Sequence, residues 1–324
     1  MKKDKRQPIL LHPVGKDYLW GGNRLKEEYE KKIALTPLAE TWECSVHPDG
    51  PSVIASGEYK GLTLVQLLDK HPEYMGSKVD SEFPILVKFI DAEKDLSVQV
   101  HPNDEYARSY ENQNGKTEVW YVLDAKPETT LVCGFAHDVT PEILKHAVET
   151  GTLDKHMQKV PVHKGDVFFI PAGTVHAIGA GALIAEIQES SNVTYRVYDY
   201  NREDKNGNQR ELHFDKAIRV LNMKAGADVR QKPRKVNYYY GSAREILCRC
   251  KYFEVERIQV NLGFDFTVME TSFQVVLCIN GEGGVAIDDM RRPLRFKKGD
   301  CVFVPADTGR CHVLGECELL KIRC

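Results

Sequence analysis

The segment 97–102, SVQVHP, carries two metal-ligand side chains two residues apart, Gln99 and His101. Successive side chains of a β-strand point to opposite faces, so a strand here presents both on one face. Glu118 and His176 follow along the chain. Two imidazoles, a carboxylate and an amide oxygen suit a divalent metal of borderline softness, zinc first and then manganese, iron or cobalt. Because no thiolate is among them, the set predicts a catalytic metal centre.

Each of these side chains has a plainer interpretation when it is taken alone. Gln99 and His101 in a half-buried strand are commonly hydrogen-bonded rather than metal-bound. A glutamate such as Glu118 is common on an edge strand. The metal interpretation depends on all four side chains occurring in an order that a β-barrel can bring together.

Three charged side chains are predicted to line a cavity beside this centre. Glu186 and Arg196 follow the ligands on two strand-like segments, and Lys116 lies on the strand face of the glutamate ligand, two residues before it. Two alternatives stay open. Arg196 could form an ion pair with Glu186 or Asp199, and Lys116 could be a solvated turn residue.

Short strand-like runs must position these residues. They are separated by Gly, Pro, Asn and Asp every 8–15 residues, which is typical of sandwiches and barrels. The runs are 41–46, 84–90, 96–100, 118–123, 130–133, 166–170, 183–188 and 194–198. Helices are few, and capping residues and apolar spacing predict them at 23–31, 63–70, 140–151 and 213–222. The pattern predicts a mainly β protein.

The chain also repeats itself. The segment GDVFFIPA at 165–172 returns as GDCVFVPA at 299–306, which indicates two related β-barrels. The second copy has Arg310 where the first has His176, and Gln274 where the first has Glu118. We therefore expect no metal in the second barrel.

These features predict two domains. Residues 1–235 form the catalytic metal-binding domain with N-terminal and helical additions, and residues 236–324 form a metal-free β-barrel. The stretch 224–240 is the expected linker.

Composition narrows the class of protein. The 324 residues carry a net charge of −3 with no basic block, which argues against a nucleic-acid partner. No run of about 18 apolar residues exists, and the N-terminus lacks the apolar core of a signal peptide, so we expect no membrane association and a cytoplasmic location. The nine cysteines are expected to be buried reduced thiols. Nothing in the pattern indicates an oligomeric state.

Together these motifs resemble the type I phosphomannose isomerases in their short bacterial form. The resemblance extends nearly from end to end and is carried by the segments 19–22 (LWGG), 39–43 (AETWE), 83–88 (FPILVK), 97–104 (SVQVHPND), 116–121 (KTEVWY), 166–176 and 186–196. It implies two cupin-type, jelly-roll barrels and one zinc bound by Gln99, His101, Glu118 and His176. The chain lacks the long helical insertion of the larger members, so their phosphate contacts are not transferred.

The resemblance implies reversible isomerisation of mannose 6-phosphate to fructose 6-phosphate. Such a reaction needs a base to move a proton between C2 and C1, an electrophile for the enediolate, and a cation for the intermediate or the phosphate. The resemblance makes Arg196 the active-site arginine, with Lys116 and Glu186 in the pocket. We expect Glu186 to be the base, with a pKa raised by its apolar barrel, and Lys116 to be the alternative.

Two other classes of cupin are weighed against this reading. Cupin oxygenases use two histidines and a carboxylate around iron, whereas Gln99 here is an added neutral ligand. A non-catalytic sugar-binding cupin would share the barrel but would not need Lys116, Glu186 and Arg196 together. The preference among mannose 6-phosphate, free mannose and other sugars stays open.

Overall fold

The structure is a computed structural model that describes residues 6–79, 82–203, 206–226, 229–232, 235–288, 290 and 292–324. Within those ranges the backbone is mainly β, as predicted. The strands are β1 Ile9–His12, β2 Val14–Lys16, β3 Glu40–Cys44, β4 Val53–Ile54, β5 Ile85–Asp91, β6 Val98–Val100, β7 Glu118–Ala125, β8 Thr130–Phe135, β9 Met157–Pro161, β10 Val167–Ile170, β11 His176–Ile178, β12 Ala182–Glu189, β13 Tyr195–Tyr198, β14 Asn237–Tyr239, β15 Ser242–Arg249, β16 Glu254–Val260, β17 Gly263–Val268, β18 Gln274–Ile287, β19 Leu294–Lys297, β20 Cys301–Val304 and β21 Gly309–Arg323.

Helices are short. They are α1 Arg24–Glu27, α2 Leu64–Lys70, α3 Asp104–Tyr110, α4 Pro141–Glu149 and α5 Phe214–Val220, with 3₁₀ turns at Pro72–Tyr74 and Leu153–Lys155. Four of the five were predicted. Two of these four have side-chain caps: the Thr63 hydroxyl and the Gln66 amide cap α2 reciprocally, and Thr140 caps α4. Helix α3, whose first turn is capped by Asn103, was not predicted. Helix α1 ends at Glu27, four residues before the predicted end.

Two antiparallel sheets in the N-terminal part of the chain carry the predicted site. A six-stranded sheet has the order β10-β7-β12-β5-β3-β2, and a five-stranded sheet has the order β13-β6-β11-β8-β9. Their facing apolar side chains form one core that includes Trp120, Phe168, Leu131 and Ile178. Glu118 and Glu186 lie on the first sheet, so the ligands of the two sheets must meet across this core.

The C-terminal strands form a ten-stranded sheet with the path β14-β15-β16-β21-β18-β20-β1-β4, in which β17 pairs with β21 and β19 with β18. The sequence repeat has a structural counterpart here. Strand β10 runs antiparallel to β7 with Phe169 opposite Val119, and β20 runs antiparallel to β18 with Phe303 opposite Val275. Strand β1 was not predicted: it joins this C-terminal sheet by pairing with β20.

A buried ion pair ties the two parts of the chain together. The Lys31 ammonium donates to the carboxylate of Glu43 at 2.7 Å and to the carbonyl of Gly299 at 2.5 Å. The Thr41 hydroxyl donates to the other Glu43 oxygen at 2.6 Å. Glu43 is fully buried, and burial raises the pKa of its carboxyl. The contact therefore fixes β3 against the turn that precedes β20.

None of the nine cysteines forms a disulfide, and seven of them are buried, as predicted. Among the described residues, no helix has the length and apolar character needed to cross a membrane. The predicted linker 224–240 lies partly outside the described residues, and its last part contains β14.

Candidate metal centre

The two N-terminal sheets bring the four predicted ligands into one place. Gln99 lies in the middle of β6 and His101 follows its end, Glu118 begins β7, and His176 begins β11. Strand β11 pairs with β6 so that His176 lies opposite Gln99. The histidines and the glutamate are completely or almost completely buried.

Ligand atoms of His101, His176 and Glu118 converge in this place. The Nε2 atoms of His101 and His176 are 3.1 Å apart. One carboxylate oxygen of Glu118 is 3.4 Å from Nε2 of His176 and the other is 3.5 Å from Nε2 of His101. Ligands about 2.1 Å from a tetrahedral metal are separated by roughly 3.4 Å, so the spacing suits one ion.

The tautomers of the two histidines make the fit specific. Nδ1 of His101 lies 2.8 Å from the carbonyl of Val193, and Nδ1 of His176 lies 2.9 Å from the carbonyl of Thr174. A carbonyl only accepts, so each Nδ1 carries the proton and each Nε2 presents a lone pair. Two lone pairs and a carboxylate that face one another are suited to binding a metal cation. Burial also lowers the pKa of both rings, that of His176 to about 4, which keeps them neutral and able to bind metal.

Gln99 completes the predicted set. Its side-chain Nε2 lies 3.3 Å from Nε2 of His176. Rotation of the amide by half a turn would put its oxygen at the same position, where it would be a fourth ligand. Arg196 lies directly opposite Gln99 on the neighbouring strand β13.

Lys116 is buried beside the ligands, so the alternative of a solvated turn residue is wrong. Its Nζ lies 3.0 Å from Nε2 of His101 and donates a short hydrogen bond to the carboxylate of Glu118. The second Glu118 oxygen is buried and accepts no hydrogen bond from the residues that the structure describes. Burial, together with the nearby charge of Glu186, raises the pKa of the Glu118 carboxyl. The Glu118 carboxylate is therefore positioned to bind a cation of higher charge than one lysine ammonium.

Glu186 lies at the centre of a buried charge network. One of its oxygens is 3.2 Å from Nζ of Lys88 and 4.0 Å from Nζ of Lys116, and the indole of Trp120 donates to the other at 3.0 Å. Burial alone would raise the pKa of this carboxyl, but the two ammonium groups outweigh it and lower the pKa to about 2. The expectation of a raised pKa was therefore wrong, because the barrel wall is charged here.

Lys88 was not predicted to be a site residue. It lies on β5, opposite Glu186, and its ammonium also lies 3.7 Å from Glu40. Burial disfavours its charge, but Glu40 and Glu186 outweigh that cost and raise its pKa. A signal was present in the segment ILVKFID, where one charged side chain interrupts an apolar strand.

A cavity of about 250 Å³ adjoins the centre, and Lys88, Lys116, Glu186, Gln99 and Arg196 are among the residues that line it. The guanidinium of Arg196 donates through Nη1 to the carbonyl of Glu211 at 2.7 Å, and its buried Nε has no hydrogen-bond partner among the described residues.

The ion pair of Arg196 with Asp199 or Glu186 that was weighed above is not formed. Asp199 instead accepts from Arg210 at 2.7 Å and from Arg202, and Glu186 is paired with lysines. Arg196 therefore forms no ion pair with either carboxylate, and both Arg196 and Arg210 line the cavity.

Fold and site together define a β-barrel protein with a buried metal-ligand cluster in one of its sheet pairs. Residues 9–137 match the model of the phosphomannose isomerase type I catalytic domain, and residues 244–324 match that of the mannose-6-phosphate isomerase cupin domain. The mannose-6-phosphate isomerase ManA of Bacillus subtilis (strain 168) is 36% identical over 319 residues, covering 97% of this chain and 98% of its own.

The chain belongs to the type I phosphomannose isomerase family. The mannose-6-phosphate isomerase of Streptococcus mutans is 35% identical over 315 residues and 97% of each chain. The crystal structure of the mannose 6-phosphate isomerase from Bacillus subtilis superposes with a TM-score of 0.90 at 34% identity, over 98% of this chain and 99% of that one. The resemblance inferred from sequence motifs is thus confirmed, and an isomerase is favoured over the two other cupin classes.

Proposed function

We propose that this chain interconverts mannose 6-phosphate and fructose 6-phosphate at the cavity beside Gln99, His101, Glu118 and His176. One observation carries the proposal: two imidazole nitrogens that present lone pairs converge with a carboxylate within 3.5 Å, next to an ionised glutamate and a half-buried arginine. That combination provides metal ligands, a proton acceptor and an anion-stabilising group in one place.

We propose a single divalent ion held by the two Nε2 atoms, the Glu118 carboxylate and the Gln99 amide oxygen. Zinc fits this donor set best, and manganese, iron or cobalt are the next candidates. When bound, such an ion lowers the energy of negative charge on neighbouring substrate oxygens. The carbonyls of Val193 and Thr174 hold the rings in the ligating tautomer.

Glu186 is proposed as the base that carries the proton between C2 and C1. Its low pKa keeps it ionised at neutral pH, so it is ready to accept a proton, and it lines the cavity. The Trp120 indole holds one oxygen at 3.0 Å, which leaves the other to face the cavity lysines. Lys116 stays the alternative base because its Nζ lines the same cavity.

Arg196 is proposed to stabilise the enediolate. Its Nε is buried with no hydrogen-bond partner in the part of the chain that the structure describes. Arg196 lies opposite Gln99 on the neighbouring strand, and both residues line the cavity. A fixed cation that gains interaction energy as the oxyanion develops raises turnover rather than affinity alone.

Isomerisation in D₂O tests this function directly. We expect NMR to show fructose 6-phosphate formed from mannose 6-phosphate with deuterium at C1, because a proton held by a carboxylate exchanges with solvent. Chelation should stop the reaction and added zinc should restore it. Saturable sugar binding without turnover would support a binding protein instead, and oxygen consumption would support an oxygenase. Parallel assays with free mannose would reveal the substrate preference.

A further inference from the structure

Two histidines face each other on the surface, apart from the candidate metal centre. His137 follows the end of β8 and His156 precedes β9. Nε2 of His137 and Nδ1 of His156 are 3.2 Å apart, and the ring centroids are 5.0 Å apart at an interplanar angle of 63°. Neither ring belongs to the chemistry proposed above.

The backbone holds this pair in place. Strands β8 and β9 are paired up to Phe135 and Met157, and the amide of Ala136 donates to the carbonyl of His156 at 2.8 Å. The amide of His156 donates in turn to the carbonyl of Leu153 at 2.9 Å. Both rings therefore project from the adjoining ends of two paired strands, so bringing them together costs little conformational entropy.

The hydrogen bonds define which nitrogens are free. Nδ1 of His137 lies 3.0 Å from the carbonyl of Asp138, so that nitrogen carries the proton and Nε2 presents a lone pair. Nδ1 of His156 then donates to that lone pair. If the proton of His156 moves to its own Nε2, which is the other neutral tautomer, two lone pairs point into the same space.

The spacing matches a chelate. For metal–nitrogen bonds of about 2.05 Å, a nitrogen separation of 3.2 Å gives an angle at the metal of roughly 100°, close to the tetrahedral value. Imidazole suits Zn²⁺, Cu²⁺ and Ni²⁺. Desolvation and the neighbouring His137 lower the pKa of His156, which keeps that ring neutral at physiological pH. Asp138, which follows His137 in the chain, has its carboxylate held by Lys224 and the amide of Ala225. Water would therefore complete the coordination.

We propose that His137 and His156 form a second, weaker transition-metal site of this protein, which takes Zn²⁺ or a similar ion through Nε2 of His137 and Nδ1 of His156. Binding exchanges the hydrogen bond between the rings for two metal–nitrogen bonds. The site is independent of the isomerase function, because no residue of the proposed active site takes part.

Equilibrium dialysis against Zn²⁺ tests the proposal on the full-length protein. We expect the wild type to bind one tight equivalent and one weaker equivalent. His137→Ala and His156→Ala should each weaken binding of the second zinc ion by at least about tenfold. The reason is that removing a metal ligand lowers the affinity more than removing a residue that only hydrogen-bonds to a ligand. His163→Ala is the matched control, because that histidine is highly exposed without a histidine partner and its loss should change neither equivalent.

NMR of the histidine ring nitrogens adds a structural readout. On addition of Zn²⁺, His156 should change from the Nδ1–H to the Nε2–H tautomer, and this change should be absent in His137→Ala. The proposal is overturned if the wild type binds only the tight equivalent at millimolar zinc, if either variant keeps the second equivalent unchanged, or if the His156 tautomer does not change. Isomerase activity should be the same in all of these proteins, so its loss would contradict the independence of the two sites.

Discussion

Replacing Arg196 with alanine tests whether the guanidinium acts on the transition state. The cavity of about 250 Å³ is roughly 8 Å across, so a substrate oxyanion inside it lies about 4 to 8 Å from the guanidinium. At an effective dielectric constant of about 20, one unit of developing charge then gains roughly 2 to 4 kcal/mol. Loss of that energy corresponds to a fall in kcat of roughly 30- to 1000-fold, which includes the range typical for one preorganised donor.

Steady-state kinetics of four proteins give the answer. Arg196→Ala should lose kcat by this factor, and Arg196→Lys should recover little, because an ammonium lacks the planar fork. Arg244→Ala is the matched control. Arg244 also has a buried Nε with no hydrogen-bond partner within the described ranges, but it lies in the C-terminal sheet. A kcat of Arg196→Ala within about threefold of wild type, with only KM raised, would show uniform substrate binding and refute the reasoning.

Three further predictions concern the support of the site and the rest of the fold. Gln188→Leu should weaken zinc binding by about 10-fold or more. The Gln188 amide donates at 2.7 Å to the carbonyl of Ser191, in the loop that also contains Val193, whose carbonyl holds the His101 ring. An unchanged zinc affinity in chelator competition would contradict this prediction. Asp288 and Asp265 raise the pKa of His312, so the contribution of His312 to stability is complete below pH 6.5 and is lost as pH rises through the folded-state pKa. The difference in Tm between wild type and His312→Gln should therefore shrink from pH 6 to pH 8.5. A constant difference would show that the interactions of His312 with the two aspartates do not stabilise the fold. Leu319→Ala in the C-terminal core should cost about 2–5 kcal/mol in chemical denaturation with kcat unchanged, whereas a large loss of kcat in the folded variant would show that this sheet takes part in catalysis.

That Gln99 and His101 lie close together was predictable because strand periodicity is local: the alternation in 97–102 puts both on one face. The repeat at 299–306 predicted a second unit of similar pattern, and β18 and β20 pair there as β7 and β10 do in the first. Helices with strong caps, such as α2 and α4, were predictable for the same reason. The first residue of each of these helices is determined by capping residues that lie within three positions of one another.

The charge network was not predictable in the same way. Lys88 and Glu186 meet because β5 and β12 are neighbours in the six-stranded sheet, although almost a hundred residues separate them in sequence. The charges of Lys116 and Lys88 lower the pKa of Glu186, so the prediction of a raised pKa, which assumed an apolar barrel, was wrong. Strand β1 was missed because its partner β20 lies at the other end of the chain.

Titration of zinc into metal-stripped protein, with isomerase activity as the readout, tests the central claim most directly. Activity should be absent without metal, rise in proportion to added zinc, and reach its maximum at one equivalent, because two neutral imidazoles and Glu118 converge on one point. His101→Ala should show no rise over the same range. Full activity in the metal-free protein, or a zinc-dependent rise that survives in His101→Ala, would contradict the account.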